Sequence, residues 1–156
     1  MKVLFQEKQR FSPWVTWGTA LLMVLCLIGI WLVQEDGATL ELPIKLLLSL
    51  LPVAISVLMF ALVLKTEITQ DFIKINYVPF LTKKWFWEDL KDPEVIDYGF
   101  VGGWGIRIWT GYGTVYNTRG SKGLHFKVSH KSKTKEYVVG TQRPEELKQI
   151  LKDINR

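Results

Sequence analysis

The 156-residue chain has a net charge of +5 and a single cysteine, Cys26, so an internal disulfide is excluded. The excess charge belongs to the second part of the chain. Residues 1–64 hold four basic and four acidic side chains, whereas residues 65–156 hold 16 basic and 11 acidic ones. We therefore expect a division near Lys65, after which 92 residues remain, enough for one small domain.

Two uncharged apolar runs predict a membrane hairpin. Residues 14–33 and 46–64 form runs of 20 and 19 residues. A helix rises ~1.5 Å per residue, so each run can cross a hydrocarbon core ~30 Å thick. Helix-starting residues precede both runs, which places the expected spans at about 13–33 and 44–64. The alternative for the first run is a cleaved signal peptide, which its length and the lack of an A-x-A-like site disfavour.

The charges beside the spans predict their orientation. Basic residues accumulate before the first span and after the second, whereas the loop 34–45 carries three acidic side chains against Lys45 alone. Lys and Arg concentrate on the cytoplasmic side of membrane proteins. We therefore expect a multi-pass protein of the cell (inner) membrane, with both termini cytoplasmic and the loop outside.

The second part of the chain reads as β-structure followed by one helix. Apolar and polar residues alternate with the period of two that is typical of half-buried antiparallel strands. Turn-forming residues separate these segments, which predicts a compact sandwich or barrel of about seven strands. Pro144 then opens a helix with an apolar stripe that should pack on the β-structure. The predicted strands lie near residues 73–77, 83–87, 95–100, 104–108, 114–117, 124–129 and 136–139, and the stripe comprises Leu147, Ile150, Leu151 and Ile154.

The order of seven strands and one helix resembles a pleckstrin-homology-type (PH-like) domain, specifically those of small bacterial membrane proteins with two spans. The segment 5–11 also resembles the pre-membrane segment of such proteins. The resemblance implies a transmembrane helical hairpin (1–64, with the N-terminal tail) and a cytoplasmic, mainly β PH-like barrel or sandwich with a C-terminal amphipathic helix (65–156). It implies no reaction. The matching stretches are 75–80, 87–90, 102–107, 116–117 with Gly120 and Gly123, and 140–147.

The sequence shows no constellation for catalysis, a metal or a cofactor. His125 and His130, the only histidines, would point to opposite faces of an extended segment. The Gly-rich stretch 102–113 lacks both common phosphate-loop motifs and a following helix. The apolar runs contain no ionisable residue, which disfavours transport or a proton relay. We therefore expect a protein that is not an enzyme and holds no cofactor.

Two surfaces are candidates for binding. Trp104 and Trp109, which flank Arg107, form a candidate aromatic ligand region. A second segment of 17 residues carries six basic side chains and no acid. It is either a solvated hairpin tip or a contact for anionic headgroups or an acidic protein partner. Nucleic acid is disfavoured, because few aromatic residues interleave with the charges. The six residues are Arg119, Lys122, Lys127, Lys131, Lys133 and Lys135.

Three functions stay open at this point. The expected one is a membrane-anchored interaction or scaffolding module for a protein, peptide or lipid headgroup. The second is an accessory subunit of a larger membrane complex that contacts partners through its spans. Small residues in the spans would permit such close helix contacts. The third is an enzyme of unrecognised type, and the ligand and the oligomeric state are open in every case. The small residues are Gly18, Gly29, Ala54, Ser56 and Ala61.

Overall fold

The computed structural model describes residues 2–32, 40–130 and 133–154, and it divides the chain into two compact units. Residues 11–62 form a helical hairpin, and residues 1–10 together with 63–156 form a β unit. The boundary therefore lies at Val63, two residues before the expected one at Lys65. The N-terminal tail, which the sequence predicts to belong with the hairpin, belongs to the β unit. The reason is that the tail is itself a strand.

The hairpin consists of α1 (Pro13–Leu32) and α2 (Leu42–Ala61). The two helices pack antiparallel, with the start of α1 against the end of α2, where the rings of Trp17 and Phe60 meet edge-to-face at 5.4 Å. Most of their large apolar side chains are exposed. Both helices are long and apolar enough to cross a membrane, which is compatible with a membrane protein.

The second predicted span, 44–64, contains more than a helix. The helix ends at Ala61, Leu62 adopts an extended backbone, and Val63 begins a strand in which Leu64 is fully buried. Hydropathy alone does not separate an apolar helix with exposed side chains from the buried strand that directly follows it. At the other end, α2 begins at Leu42 rather than at residue 44. The end of the first predicted span, Val33, lies outside the described residues.

The β unit contains nine strands in its described residues, two more than expected. They form a four-stranded sheet of order β1-β2-β3-β4 and a five-stranded sheet of order β5-β8-β9-β7-β6, without a closed barrel. All pairs are antiparallel except β7 with β9, which is parallel. The strands are β1 (Val3–Arg10), β2 (Val63–Thr69), β3 (Phe72–Val78), β4 (Leu81–Phe86), β5 (Leu90–Asp97), β6 (Gly105–Thr110), β7 (Gly113–Asn117), β8 (Lys122–His130) and β9 (Lys133–Gly140).

The two sheets contact each other through a cluster of aromatic side chains. Trp85 of β4 lies with its ring 5.1 Å from that of Phe126 in β8 and 5.1 Å from that of Tyr137 in β9. Phe126 is fully buried, and each large apolar side chain buried in this way stabilises the fold by roughly 1.5–3 kcal/mol. This packing brings β4 beside β7 and β9, which matters for the site described below.

The C-terminal helix α3 (Pro144–Ile154) confirms the expectation from its apolar stripe. Leu147 and Leu151 are buried, and the helix contacts β5, β8 and β1. Its first turn carries Glu145, whose pKa is lowered chiefly by a hydrogen bond from Lys148. The helix therefore lies on the β-structure and contributes its stripe to the core.

Strand β1 is held in place by a buried polar network. Its inward face presents Phe5, Glu7 and Gln9, and all three are buried. The Glu7 carboxylate accepts hydrogen bonds from Thr141 Oγ1 (2.7 Å) and from the Gln142 backbone N–H (2.9 Å). Gln9 Nε2 donates to Glu7 at 3.1 Å and to the carbonyl of Gly140 at 2.7 Å. The N-terminal tail is thus bound to the junction between β9 and α3.

Candidate functional site

Trp109 is the most exposed large apolar side chain of the described residues, at 93 %. It lies in β6, the edge strand of the second sheet, where the pairing with β7 becomes irregular between Arg107 and Thr110. Its φ of +58° is a left-handed conformation that non-glycine residues seldom adopt and that costs of order 1–3 kcal/mol. The neighbouring turn is fixed, because Thr110 Oγ1 donates to the carbonyl of Gly113 at 2.9 Å. The fold therefore keeps this indole exposed to solvent even though the backbone conformation at Trp109 is unfavourable.

One groove beside Trp109, of about 520 Å³, is lined by several aromatic side chains together with polar groups. We call it the aromatic groove; its lining includes Phe100, Arg107, Ile108 and Trp109. Phe100 is 79 % exposed, so two large aromatic side chains of this groove face solvent. The Arg107 side chain packs over Gly103, whose missing Cβ leaves the space that the guanidinium fills.

The predicted trio of Trp104, Arg107 and Trp109 is therefore only partly brought together. Arg107 and Trp109 share the aromatic groove, but Trp104 is not among its lining residues. Trp104 is also far less exposed than Trp109, at 38 % against 93 %. Sequence alternation placed both tryptophans near one strand, but the irregularity after Arg107 turns Trp109 outward.

The second groove, of about 630 Å³, is lined by two lysine side chains. We call it the lysine groove; its lining includes Lys83, Trp109, Thr134, Lys135, Glu136 and Tyr137. The Lys83 ammonium lies 5.5 Å from the ring centre of Tyr116 and 5.1 Å from that of Tyr137. Both distances are within the range of a cation–π contact. The two rings hold the ammonium in position, and because they are uncharged they do not neutralise it.

The carboxylate that lines the lysine groove, Glu136, already contacts two other side chains. Glu136 Oε2 lies 3.4 Å from Nε2 of His125, and its Oε1 lies 3.9 Å from Nζ of Lys127. No carboxylate of the described residues lies within 4 Å of Lys83 or Lys135. The groove therefore offers two ammonium groups, and its single acid already contacts other partners.

The structure does not gather the six basic residues into one patch. Arg119 precedes β8 and Lys122 begins it, whereas Lys135 in β9 pairs with Val128, six residues further along β8. At ~3.3 Å per residue, this pairing places Lys135 ~20 Å along the strand from Lys122. Lys131 lies outside the described residues, and Lys133 begins β9 with its side chain outside them.

Some of these charges are also partly compensated. Lys127 lies 3.9 Å from Glu136, and Lys122 lies opposite Asp97 in the backbone register of β8 and β5. The pKa of Asp97 is lowered mainly by hydrogen bonds from Ser121 and Gly99, with a smaller contribution from Lys122. Among the described members, Lys135 is the one that lines the lysine groove.

His125 is buried between two carboxylates on opposite sides of its ring. Nδ1 lies 3.6 Å from Glu94 Oε1, and Nε2 lies 3.4 Å from Glu136 Oε2. Because the two carboxylates approach different nitrogens, the three side chains do not converge on one point. The described residues contain no group of three or more His, Cys, Asp or Glu that could hold a metal ion. The predicted divergence from His130 concerns a side chain outside the described residues.

The residues that sequence reasoning missed are Lys83, Tyr116 and Tyr137. They come from β4, β7 and β9, and no short-range spacing connects them. They meet only because the two sheets pack together at Trp85. Comparison of the chain with protein-family models, with curated proteins and with solved structures found no match.

Proposed function

We propose that this protein is a non-enzymatic binding module, anchored in the cell (inner) membrane by α1 and α2, with a PH-like β domain at the cytoplasmic face. The observation that carries the proposal is Trp109, exposed at 93 % beside two grooves and held with an unfavourable backbone. Covering an indole of ~200 Å² yields about 5 kcal/mol before the costs of association are subtracted. A ligand that covers this indole gains the free energy of burying it, which the free domain lacks because the indole is exposed.

The pairing of β1 with β2 supports the membrane hairpin. Arg10 lies opposite Val63, so the segment between them begins and ends on neighbouring strands of one sheet. If α1 crosses a bilayer, α2 must cross it back. Cleavage after α1 would remove β1, whose Glu7 and Gln9 are buried in the β unit, which argues against a signal peptide.

Reporter fusions test this topology. A fusion after Leu40, in the loop between the helices, should report the external side, and a fusion after Arg156 should report the cytoplasm, because basic residues flank the hairpin. External labelling at the C-terminus would contradict the orientation and the cytoplasmic binding role together.

The binding role is tested by proximity crosslinking of the full chain in its membrane. Trp109→Ser should remove the contacts that the parent makes, because it deletes the aromatic surface without altering the spans. The matched control is Phe80→Ser, which removes another exposed aromatic side chain, 57 % exposed, between β3 and β4. Loss of contacts in both variants, or in neither, would contradict a site at Trp109.

The accessory-subunit alternative is favoured by one observation on the hairpin. A Cβ added at Gly18 or Gly29 would meet no atom of the described residues within 4 Å, so neither glycine serves the contact between α1 and α2. Both positions are therefore available to a helix from another subunit. Gly18→Leu should leave the hairpin intact. If it removes partner contacts while Trp109→Ser preserves them, the spans carry the function.

A further inference from the structure

We infer that the lysine groove binds a phosphate-bearing ligand of headgroup size, with Lys83 and Lys135 holding the phosphate and Trp109 covering the apolar part. This inference rests on the proposed binding function and names its ligand class. The groove volume of about 630 Å³ lies in the range of roughly 300–1,000 Å³ that is typical of small-molecule sites. It is large enough for a phosphate with a short organic substituent.

The charge of the groove selects an anion. Lys83 lies against the rings of Tyr116 and Tyr137, and no carboxylate of the described part of the chain forms an ion pair with it, so its ammonium is available to a ligand. Lys135 adds a second positive charge. The Glu136 carboxylate, which also lines the groove, already lies 3.4 Å from Nε2 of His125 and 3.9 Å from the Lys127 ammonium.

The type of cation is compatible with phosphate. The cations of this groove are lysines, whose compact ammonium groups bind phosphates in proteins as point charges. The hydroxyl of Thr134, at the rim, provides a further donor.

The edge strand argues against an extended peptide as the occupant. A peptide added to a sheet requires a regular edge with a continuous row of hydrogen-bonding groups. The irregular pairing between Arg107 and Thr110 and the left-handed backbone of Trp109 interrupt that row in β6. A compact ligand in the groove is compatible with this irregularity.

The test is calorimetric titration of glycerol phosphate into the full chain in phosphatidylcholine nanodiscs. The parent should bind saturably and more weakly at high salt, because screening weakens the attraction. Lys83→Gln should weaken binding at least ~10-fold, a difference of ~1.4 kcal/mol. The matched control is Lys84→Gln on the same strand, whose ammonium lies over the rings of Phe72 and Phe86 instead. It makes the same change in net charge and should bind within about twofold of the parent.

Two further arms identify the source of the phosphate. If phosphatidylglycerol in the nanodisc competes with glycerol phosphate in a Lys83-dependent manner, the ligand is a lipid headgroup. If inorganic phosphate competes and the lipid does not, the ligand is a soluble phosphate; both results support the inference. Absence of saturable binding to the parent, or equal losses in Lys83→Gln and Lys84→Gln, would overturn it. If Trp109→Ser still removes partner contacts in that case, the binding function stands and only the ligand class is wrong.

Discussion

Replacement of Glu7 by Gln should detach the N-terminal strand from the β unit. The carboxylate accepts hydrogen bonds from the side chains of Gln9 and Thr141 and from the backbone of Gln142, all in a buried setting. The amide introduced by Glu7→Gln turns one acceptor into a donor that faces the Gln9 amide, so at least one hydrogen bond to a charged group is lost and two donors are opposed. Hydrogen bonds to charged groups contribute roughly 1.5–3 kcal/mol each. We therefore expect a loss of about 2–4 kcal/mol in the free energy of unfolding.

The measurement is thermal unfolding of the full chain in nanodiscs, combined with hydrogen exchange of the backbone amides. For a unit of about 100 residues, each kcal/mol corresponds to roughly 4–8 °C, so the melting temperature should fall by about 8–32 °C. Exchange should rise first in β1, because its buried partners are the groups disturbed. Lys8→Gln is the control, since Lys8 is the next residue and is exposed. If Glu7→Gln unfolds like Lys8→Gln, the polar network does not hold the strand.

Three further changes probe the rest of the β unit. Leu147→Asp places an unpaired carboxylate at a buried position of α3 and should cost several kcal/mol in a melt, whereas the exposed control Gln149→Asp should have little effect. Burial raises the pKa of Tyr77 from 10.0 to about 12, so the folded state holds this proton more tightly than the unfolded state. The contribution of this group to the free energy of unfolding is fully present below pH 10, and about 2–3 kcal/mol of it is lost as the pH rises to 12. Tyr77→Phe should therefore show a smaller decline in the free energy of unfolding over this pH range. Gly113→Ala should lower the melting temperature by several degrees, because φ is +74° and the new Cβ would collide with the backbone of β9; Gly111→Ala, which meets no atom of the described residues within 4 Å, should not.

The sequence predicted the parts of the fold that follow a simple period. The alternation in residues 73–77 and 124–129 corresponds to β3 and β8, and the stripe of Leu147 and Leu151 is buried as expected. These segments place apolar side chains on one face and polar ones on the other. Burial follows this pattern in β3, whereas in β8 His125 of the predicted polar face is buried as well.

The strands that were missed break that rule in two ways. β1 buries Glu7 and Gln9, so its inward face is polar and the period of two is hidden. β2 begins with Val63 and Leu64, which merge with the apolar run of α2. In each case the groups that surround the residue are distant in sequence. Thr141 donates a hydrogen bond to Glu7, and Leu64 lies between the neighbouring strands β1 and β3.

The candidate site was predicted in part, at Arg107, Trp109 and Lys135. The exposure of Trp109 depends on a local irregularity in β6, and the sequence at least marked the position. The lysine groove depends on Lys83, Tyr116 and Tyr137, which meet through the packing of two sheets. The cluster of charges in residues 119–135 looked continuous in sequence, but an extended strand separates its ends.

The pairing of β1 with the rest of the β unit imposes an order of events during biosynthesis. The first ten residues leave the ribosome before the helices, but their neighbour β2 is made only after the whole hairpin. The partners of Glu7 at Thr141 and Gln142 come 134 and 135 residues later in the chain. β1 can therefore pair with β2 early, but its buried carboxylate receives these hydrogen bonds only after residues 141 and 142 have been made. A chain that stops short of residue 141 would leave Glu7 without both partners, so β1 would be held by its sheet pairing alone.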